Sequence, residues 1–229
     1  METETFDRGL AAAVREMHAQ SGLQSTMDAA TDLVPELIEN CDLAGVSIIR
    51  RQGIETLSAT DPLLREIEQM QFTFSEGPCY DALGENELVH STNLAEDPRW
   101  PTWGPKVAGE LGLYSSLSYR LFASRGTLGS LNLYSRTPDA FDSDAVHEGV
   151  AIAAQVAVAL AHAQHSEGMD TALRGRTVIG QAQGILMERF SLTDSQAFNV
   201  LVRYSQTNNT RLRALAEQVV ETRRLPATE

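Results

Sequence analysis

The stretch Arg176–Phe190, RTVIGQAQGILMERF, decides how this chain is read. Val178, Ile179, Ala182, Ile185, Leu186 and Met187 recur with a period of about 3.6 residues, the mark of an amphipathic helix. Gly180 and Gly184 interrupt it, and each costs a helix interior about 1 kcal/mol relative to alanine. A close approach of some kind must offset that cost. Gly180, Ala182 and Gly184 form a smooth strip, suited to tight helix–helix packing or to contact with another backbone or a nucleic acid.

Downstream, Thr193-Asp194-Ser195-Gln196 fits a capping box at the start of a second helix, with Ala197, Phe198, Leu201 and Tyr204 as its apolar stripe. Asn208 or Asn209 is placed to cap a third helix. Its residues Leu212, Leu215, Ala216, Val219 and Val220 follow the i, i+3, i+4, i+7, i+8 pattern, and Pro226 closes it. Three helices of this size make a bundle with a thin core.

Upstream, a long helix is expected from Asp142 or Ser143, either of which can cap it. Val146, Val150, Ala153, Ala154, Ala157, Leu160 and Ala161 make it rich in small apolar residues, suited to a sheet on one side and a second copy on the other. It is expected to run into the Arg176 helix. A helix that long rarely stands alone, so a coiled-coil homodimer through 143–190 is expected.

The front of the chain mixes helices and strands. Helices are expected near 5–21 and 24–40, the second containing Pro35. Strands at 45–50 and 54–60 flank Arg51-Gln52-Gly53, a hairpin turn. Asp61-Pro62 starts a further helix, and Gly77-Pro78-Cys79-Tyr80 leads into a short one. Strands follow at 88–92, 115–123 and 128–136, the last two joined through Ser124-Arg125-Gly126-Thr127. Between them, Asp97-Pro98-Arg99-Trp100-Pro101 is a loop leading into a helix at 102–111.

The net charge of −13 argues at first against a nucleic-acid partner. Its distribution argues otherwise. Residues 1–170 carry 10 Lys+Arg against 26 Asp+Glu, whereas residues 171–229 carry 8 Arg against 5 acids. A small basic module is joined to a strongly acidic one, which points to two functions. No run approaches the roughly 20 apolar residues of a membrane helix, and METETFDRGL has no secretory pattern. Cys41 and Cys79 form neither a disulfide framework nor a metal motif, so a reducing cytoplasm is the simplest compartment. His18, His90, His147, His162 and His165 show no metal spacing. No nucleotide-binding glycine loop, nucleophile elbow or triad spacing is present, so the chain reads as a regulator and not an enzyme, with no cofactor.

Residues 171–224 resemble an ANTAR domain, the RNA-binding three-helix module of transcription antiterminators. The resemblance lies in Arg176, Ile179 and Gln181-Ala182-Gln183-Gly184-Ile185-Leu186-Met187, then Ala197-Phe198, Leu201, Ser205-Gln206, Asn209, Leu212 and Ala216. Residues from about 25 to 165 resemble a GAF domain, a sensory α/β module of the sort that precedes ANTAR domains in actinobacteria. Glu76-Gly77-Pro78-Cys79, the Asp97–Pro101 loop and the final strand pair carry that likeness. The resemblance implies an α+β fold, with an antiparallel GAF-like sheet flanked by helices and a long helix leading into the ANTAR bundle. It implies domains at 1–24 (a helical extension), 25–165 and 166–226. It also implies a mechanism: ANTAR dimers hold paired RNA hairpins in a leader transcript, a terminator stem fails to form, and RNA polymerase reads on. The family usually has lysine where this chain has Gln183, which removes one positive charge from the RNA face.

The residues expected to touch RNA are Arg176, Gln183, Gly184, Arg189, Arg203, Asn209 and Arg211. As a set the arginines suit phosphate contact; singly, each also suits a solvated face. Tyr204 suits either a stacked base or the core, and Asn209 either a base edge or a helix cap. In the front domain, Cys79, Trp100, Tyr114, Phe122 and Tyr134 are the candidates for a small-molecule pocket. Cys79 is either a responsive thiol or a small buried hydrophobe at a helix start. Two other readings stay open: a DNA-binding helix-turn-helix in the tail, and a non-catalytic sensory or dimerisation protein whose tail docks on a partner.

Overall fold

The computed structural model describes residues 2–50, 53–83, 87–123 and 126–226. The expected turns at Arg51-Gln52 and Ser124-Arg125 lie outside the described residues. The chain divides into two compact units, residues 1–165 and 166–229.

The first unit opens with helices α1 (Glu2–Ala19) and α2 (Leu23–Leu37), then strands β1 (Leu43–Arg50) and β2 (Gly53–Ala59). Helices α3 (Leu63–Phe74) and α4 (Pro78–Leu83) precede strand β3 (Leu88–Ser91). Helix α5 (Trp103–Lys106), extended by a π-turn over Val107–Leu111, leads to β4 (Ser115–Ala123) and β5 (Gly126–Ser135). Helix α6 begins at Ser143 and runs to Phe190. Its cap is Asp142, whose Oδ1 accepts from the amides of Asp144 and Ala145 at 3.0 and 2.9 Å.

The five strands form one antiparallel sheet in the order β2-β1-β5-β4-β3. Strand side chains alternate between faces, and here the two faces differ in chemistry. Ala44, Val46 and Ile48 of β1, Leu117 and Leu121 of β4, and Leu131 and Leu133 of β5 share one apolar face. Met17 of α1, Met27 and Val34 of α2, and Ile152, Val156 and Leu160 of α6 cover it. Each such side chain contributes about 1.5–3 kcal/mol when fully buried. The opposite face carries Ser47, Ser116, Ser118, Ser130 and Asn132, all buried. Register places Ser47 beside Ser130 and Ser118 beside Asn132. Leu64 and Ile67 of α3, Trp100 of the loop before α5 and Trp103 of α5 build a second core on that side.

On length and composition alone α6 contains a segment apolar enough to cross a membrane, which the sequence reading did not anticipate. Within the first unit its stripe of Ile152, Val156, Ala159 and Leu160 is core, buried against the sheet.

In the second unit, residues 166–190 of α6 pack with α7 (Asp194–Thr207) and α8 (Leu212–Thr222). Ala182, Leu186, Ala197, Leu201, Leu215, Ala216 and Val219 form its core. The capping box at Thr193 is present: the Gln196 side chain accepts from the Thr193 amide at 2.9 Å, and the Gln196 amide donates back to the Thr193 hydroxyl at 3.4 Å. The expected asparagine cap on α8 is not. That helix starts from Arg211 without a side-chain cap, while Asn208 closes α7, its Nδ2 donating to the Tyr204 carbonyl at 2.9 Å. The tight turn at Asn209, with φ of 48°, uses the asparagines to end one helix and leaves none to begin the next.

Candidate nucleic-acid interface and sensory core

The glycines that make the Arg176 helix unusual point outward. A Cβ placed on Gly180 or on Gly184 meets no heavy atom within 4 Å. Between them Ala182 is fully buried in the bundle core. Packing within the chain therefore explains the alanine and leaves both glycines without an internal reason. Gly184 and Arg189 line one groove of about 850 Å³, with Ile185 of α6 and Val220 of α8 as its apolar walls. The Arg189 guanidinium is held by donating to the Arg223 carbonyl at 2.5 Å, just past the end of α8.

The other expected contacts are distributed. Arg176, Arg203 and Arg211 are exposed. Asn209 is exposed on the turn between α7 and α8. Gln183 is half-buried, and its amide donates to the Asp194 carboxylate at 3.0 Å, tying α6 to the start of α7. Tyr204 packs against the bundle core, with its hydroxyl donating to the Pro226 carbonyl. Sequence reasoning gave no role to Glu188 and Arg223, which also line the groove. Their signal was spacing: Gln181, Gly184 and Glu188 recur at three and four residues, and Arg223 ends the facing helix.

In the first unit the aromatic candidates lie in different surroundings. Trp100 is 1% exposed, donates from Nε1 to Asp81 at 3.0 Å and meets Trp103 edge-on at 5.6 Å. Tyr134 is fully buried, its hydroxyl accepting from Gln71 at 3.1 Å. Tyr114 is half-buried at the entry to β4. Phe122 is 56% exposed near the end of β4, away from that core. Cys79 is 2% exposed at the start of α4 with Sγ 3.0 Å from the Ser130 hydroxyl. Burial, followed by the nearby Glu68 charge, pushes its thiol up to about 12, so the reactive thiolate is suppressed.

The two loop motifs are structural. Glu76 accepts from the amides of Thr102 and Trp103 at 2.9 and 2.8 Å, satisfying free N–H groups at the start of α5. Asp97 accepts from Ser91 at 2.7 Å and from the Arg99 guanidinium at 2.6 Å. Arg99 in turn donates to the His90 carbonyl at 2.6 Å and lies over the Trp100 ring at 4.4 Å.

The polar chemistry of this unit centres on Glu68 of α3, which the sequence did not flag. Glu68 is 8% exposed and accepts from the hydroxyls of Ser47 and Thr56 and from Asn132 Nδ2, the last at 3.2 Å. Burial raises its pKa above the usual carboxylate range, against the pull of those donors and Arg65. Glu68 and Thr56 lie at a groove of about 590 Å³ walled by Leu57, Arg65 and Phe72. Beside them on the sheet, the Ser116 and Ser118 hydroxyls and Asn132 Oδ1 are buried without hydrogen-bond partners among the described residues. Orphaned buried polar groups cost about 1–3 kcal/mol each, so this face is built for polar company.

Comparison with known proteins agrees with this geometry. A GAF domain family matches residues 3–161, and an ANTAR domain family matches residues 167–220. None of the curated proteins matches the chain. Among solved structures, the chain is similar to the GAF domain of a phosphoenolpyruvate-protein phosphotransferase from Coxiella burnetii, at 16% identity and a TM-score of 0.59. That match covers 71% of this chain and 96% of the other. A free methionine-R-sulfoxide reductase from Neisseria meningitidis, in complex with its substrate, matches at 12% identity and a TM-score of 0.57, over 70% and 91% of the two chains. A photosensory core module of a Stigmatella aurantiaca phytochrome matches at 11% identity and a TM-score of 0.60, over 89% and 44%. At such identities the likeness is one of fold. The chain belongs to the GAF domain family, and its GAF domain is followed by an ANTAR domain.

Proposed function

We propose that this protein is a cytoplasmic transcription antiterminator whose ANTAR unit holds paired RNA hairpins in a nascent leader transcript, under the control of a signal sensed by its GAF unit. One observation carries the reading: Gly180 and Gly184 open outward on a basic module, where no packing among the described residues requires them. Glycines that cost helix stability and face outward suit a surface that another molecule approaches closely. On the same unit Arg176, Arg203 and Arg211 are exposed cations for phosphate, and Asn209 offers an exposed amide to a loop base. Gln183 spends its amide on Asp194, so its part is to position α7.

The working form is a homodimer through α6. Val150 and Val158 in the first unit, and Met169 and Leu173 in the second, are each more than half exposed along that helix. Apolar side chains left exposed on a long helix suit burial against a second copy. The GAF unit takes a small polar molecule on the Glu68 face of its sheet.

The test is binding of the full chain to a two-hairpin leader RNA, with a scrambled-loop control, at two salt concentrations. Loop-dependent and salt-sensitive binding is expected. Equal binding to both RNAs, or none by a dimeric preparation, refutes hairpin recognition.

A further inference from the structure

The groove between α6 and α8 has a chemistry of its own. Its walls, Ile185 and Val220, are apolar and half-buried. At Gly184 the backbone itself is the surface, since nothing projects from that position. The polar groups at its edge are of two kinds. Arg189 and Arg223 are exposed cations on one side, fixed to each other through the Arg223 carbonyl. Gln181 and Glu188 are exposed, and among the described residues neither side chain has a hydrogen-bond or ion-pair partner. An uncommitted carboxylate inside a basic module is out of place if the module meets only phosphate. It fits if something with hydrogen-bond donors enters between the arginines.

We propose that this groove receives one unpaired purine base flipped out of an RNA loop, with guanine preferred. The flat ring lies on the bare Gly184 backbone between Ile185 and Val220. Arg189 and Arg223 hold the flanking phosphates. Glu188 accepts from the adjacent N1–H and N2–H₂ donors of guanine, a pair that matches the two oxygens of a carboxylate and that adenine does not present. Single-stranded loops expose this edge, and duplexes do not. The volume of about 850 Å³ exceeds a single base, leaving room for the sugar and a neighbouring nucleotide. The proposal rests on the RNA-binding reading and goes further, to the base and the residues that read it.

The test uses the full-length protein and a library of paired RNA stem-loops with randomised loops. Loops enriched by the wild-type protein are resynthesised with an abasic site, adenine or guanine at each loop position. Binding is compared for wild type, Gly184→Leu and Glu188→Gln. Gly184→Leu puts an apolar side chain on the groove floor, and its Cβ meets nothing within 4 Å. The expected result is one loop position where guanine exceeds adenine by about tenfold or more, the scale of a good bidentate contact. Glu188→Gln erases that preference. Gly184→Leu lowers affinity to the level of the abasic RNA and shows no further loss with it. Unchanged affinity and base preference in both groove variants overturn the proposal while leaving hairpin binding intact. Failure of the wild-type protein to enrich any hairpin overturns both.

Discussion

One substitution, glycine to alanine, is expected to act with opposite signs at two places on the same helix. At Gly149 of α6, an added Cβ falls within 2.7 Å of Tyr119 Cε2 and closer still to its Cζ and Oη. Tyr119 is 2% exposed, and its hydroxyl donates to the Val146 carbonyl at 3.0 Å, so the ring has nowhere to swing. Carbon pairs sit comfortably at about 3.5–4.0 Å, so ring and helix must separate by roughly 1 Å. Overpacking of this kind costs about 1–3 kcal/mol, against a helix-propensity gain of about 1 kcal/mol for alanine. Gly149→Ala is therefore expected to destabilise the first unit by up to about 2 kcal/mol. At Gly180 the added Cβ meets nothing within 4 Å, and only the propensity gain remains. Gly180→Ala is expected to stabilise the second unit by about 0.5–1 kcal/mol. The assay is urea unfolding followed by hydrogen exchange on peptides from each unit, so that the two are read separately. Destabilisation of the second unit by Gly180→Ala, or stabilisation of the first by Gly149→Ala, refutes the reasoning.

Three further outcomes follow from the geometry. Asp97 is desolvated, but its hydrogen bonds from Arg99 and Ser91 outweigh that and hold its carboxyl down to about 2. The stability it adds is complete above the unfolded value of about 3.9 and is lost as pH falls through about 2, so urea stability of Asp97→Asn should lack the wild-type decline in that window. Glu68 is shifted the other way: the folded chain holds its proton when the unfolded chain, with a value near 4.3, has lost it. Stability should fall as pH rises from there toward the folded value, and Glu68→Gln should flatten the curve and raise stability at the alkaline end in the same urea titration. Cys79 should resist iodoacetamide at neutral pH in the folded protein and react in urea, as mass spectrometry would show.

Much of the fold was legible because its signals are local. The alternation in Ser115–Ala123 and the capping box at Thr193 each depend on residues within one element. The site was less legible because it depends on residues far apart in sequence. Glu68 sits in Arg65-Glu66-Ile67-Glu68-Gln69, where a glutamate reads as solvent-facing. Only the fold brings Ser47, Thr56 and Asn132 onto it. The available signal was in β4, where Ser116 and Ser118 alternate with Leu117 and Tyr119 in a strand buried on both faces. Phe122 misled for the opposite reason: aromatic residues suggest interior positions, and near the end of β4 this one is exposed. At Asn208 and Asn209 the residue type was read correctly as a helix boundary, and the helix it serves was the preceding one.

The motifs by which the GAF family is recognised in this chain are the ones that hold the loops. Glu76 ties the loop before α4 to the first amides of α5, and Asp97–Arg99–Trp100 clamps the turn after β3. Glycine at Gly77 serves the same end, with φ of 128° beside the Gln71 side chain, whose oxygen also accepts from the Cys79 amide at 2.8 Å. These residues fix where the sheet face and α3 meet, and they leave the chemistry of that face to others. Glu68, Ser47, Thr56, Ser118 and Asn132 supply it. On the proposed ligand-binding reading, scaffold and selectivity sit on different residues. Substitutions among the second group, such as Ser118→Ala or Thr56→Val, remove polar atoms without touching the clamps. They should change which molecule the GAF unit accepts while leaving its sheet and both cores in place.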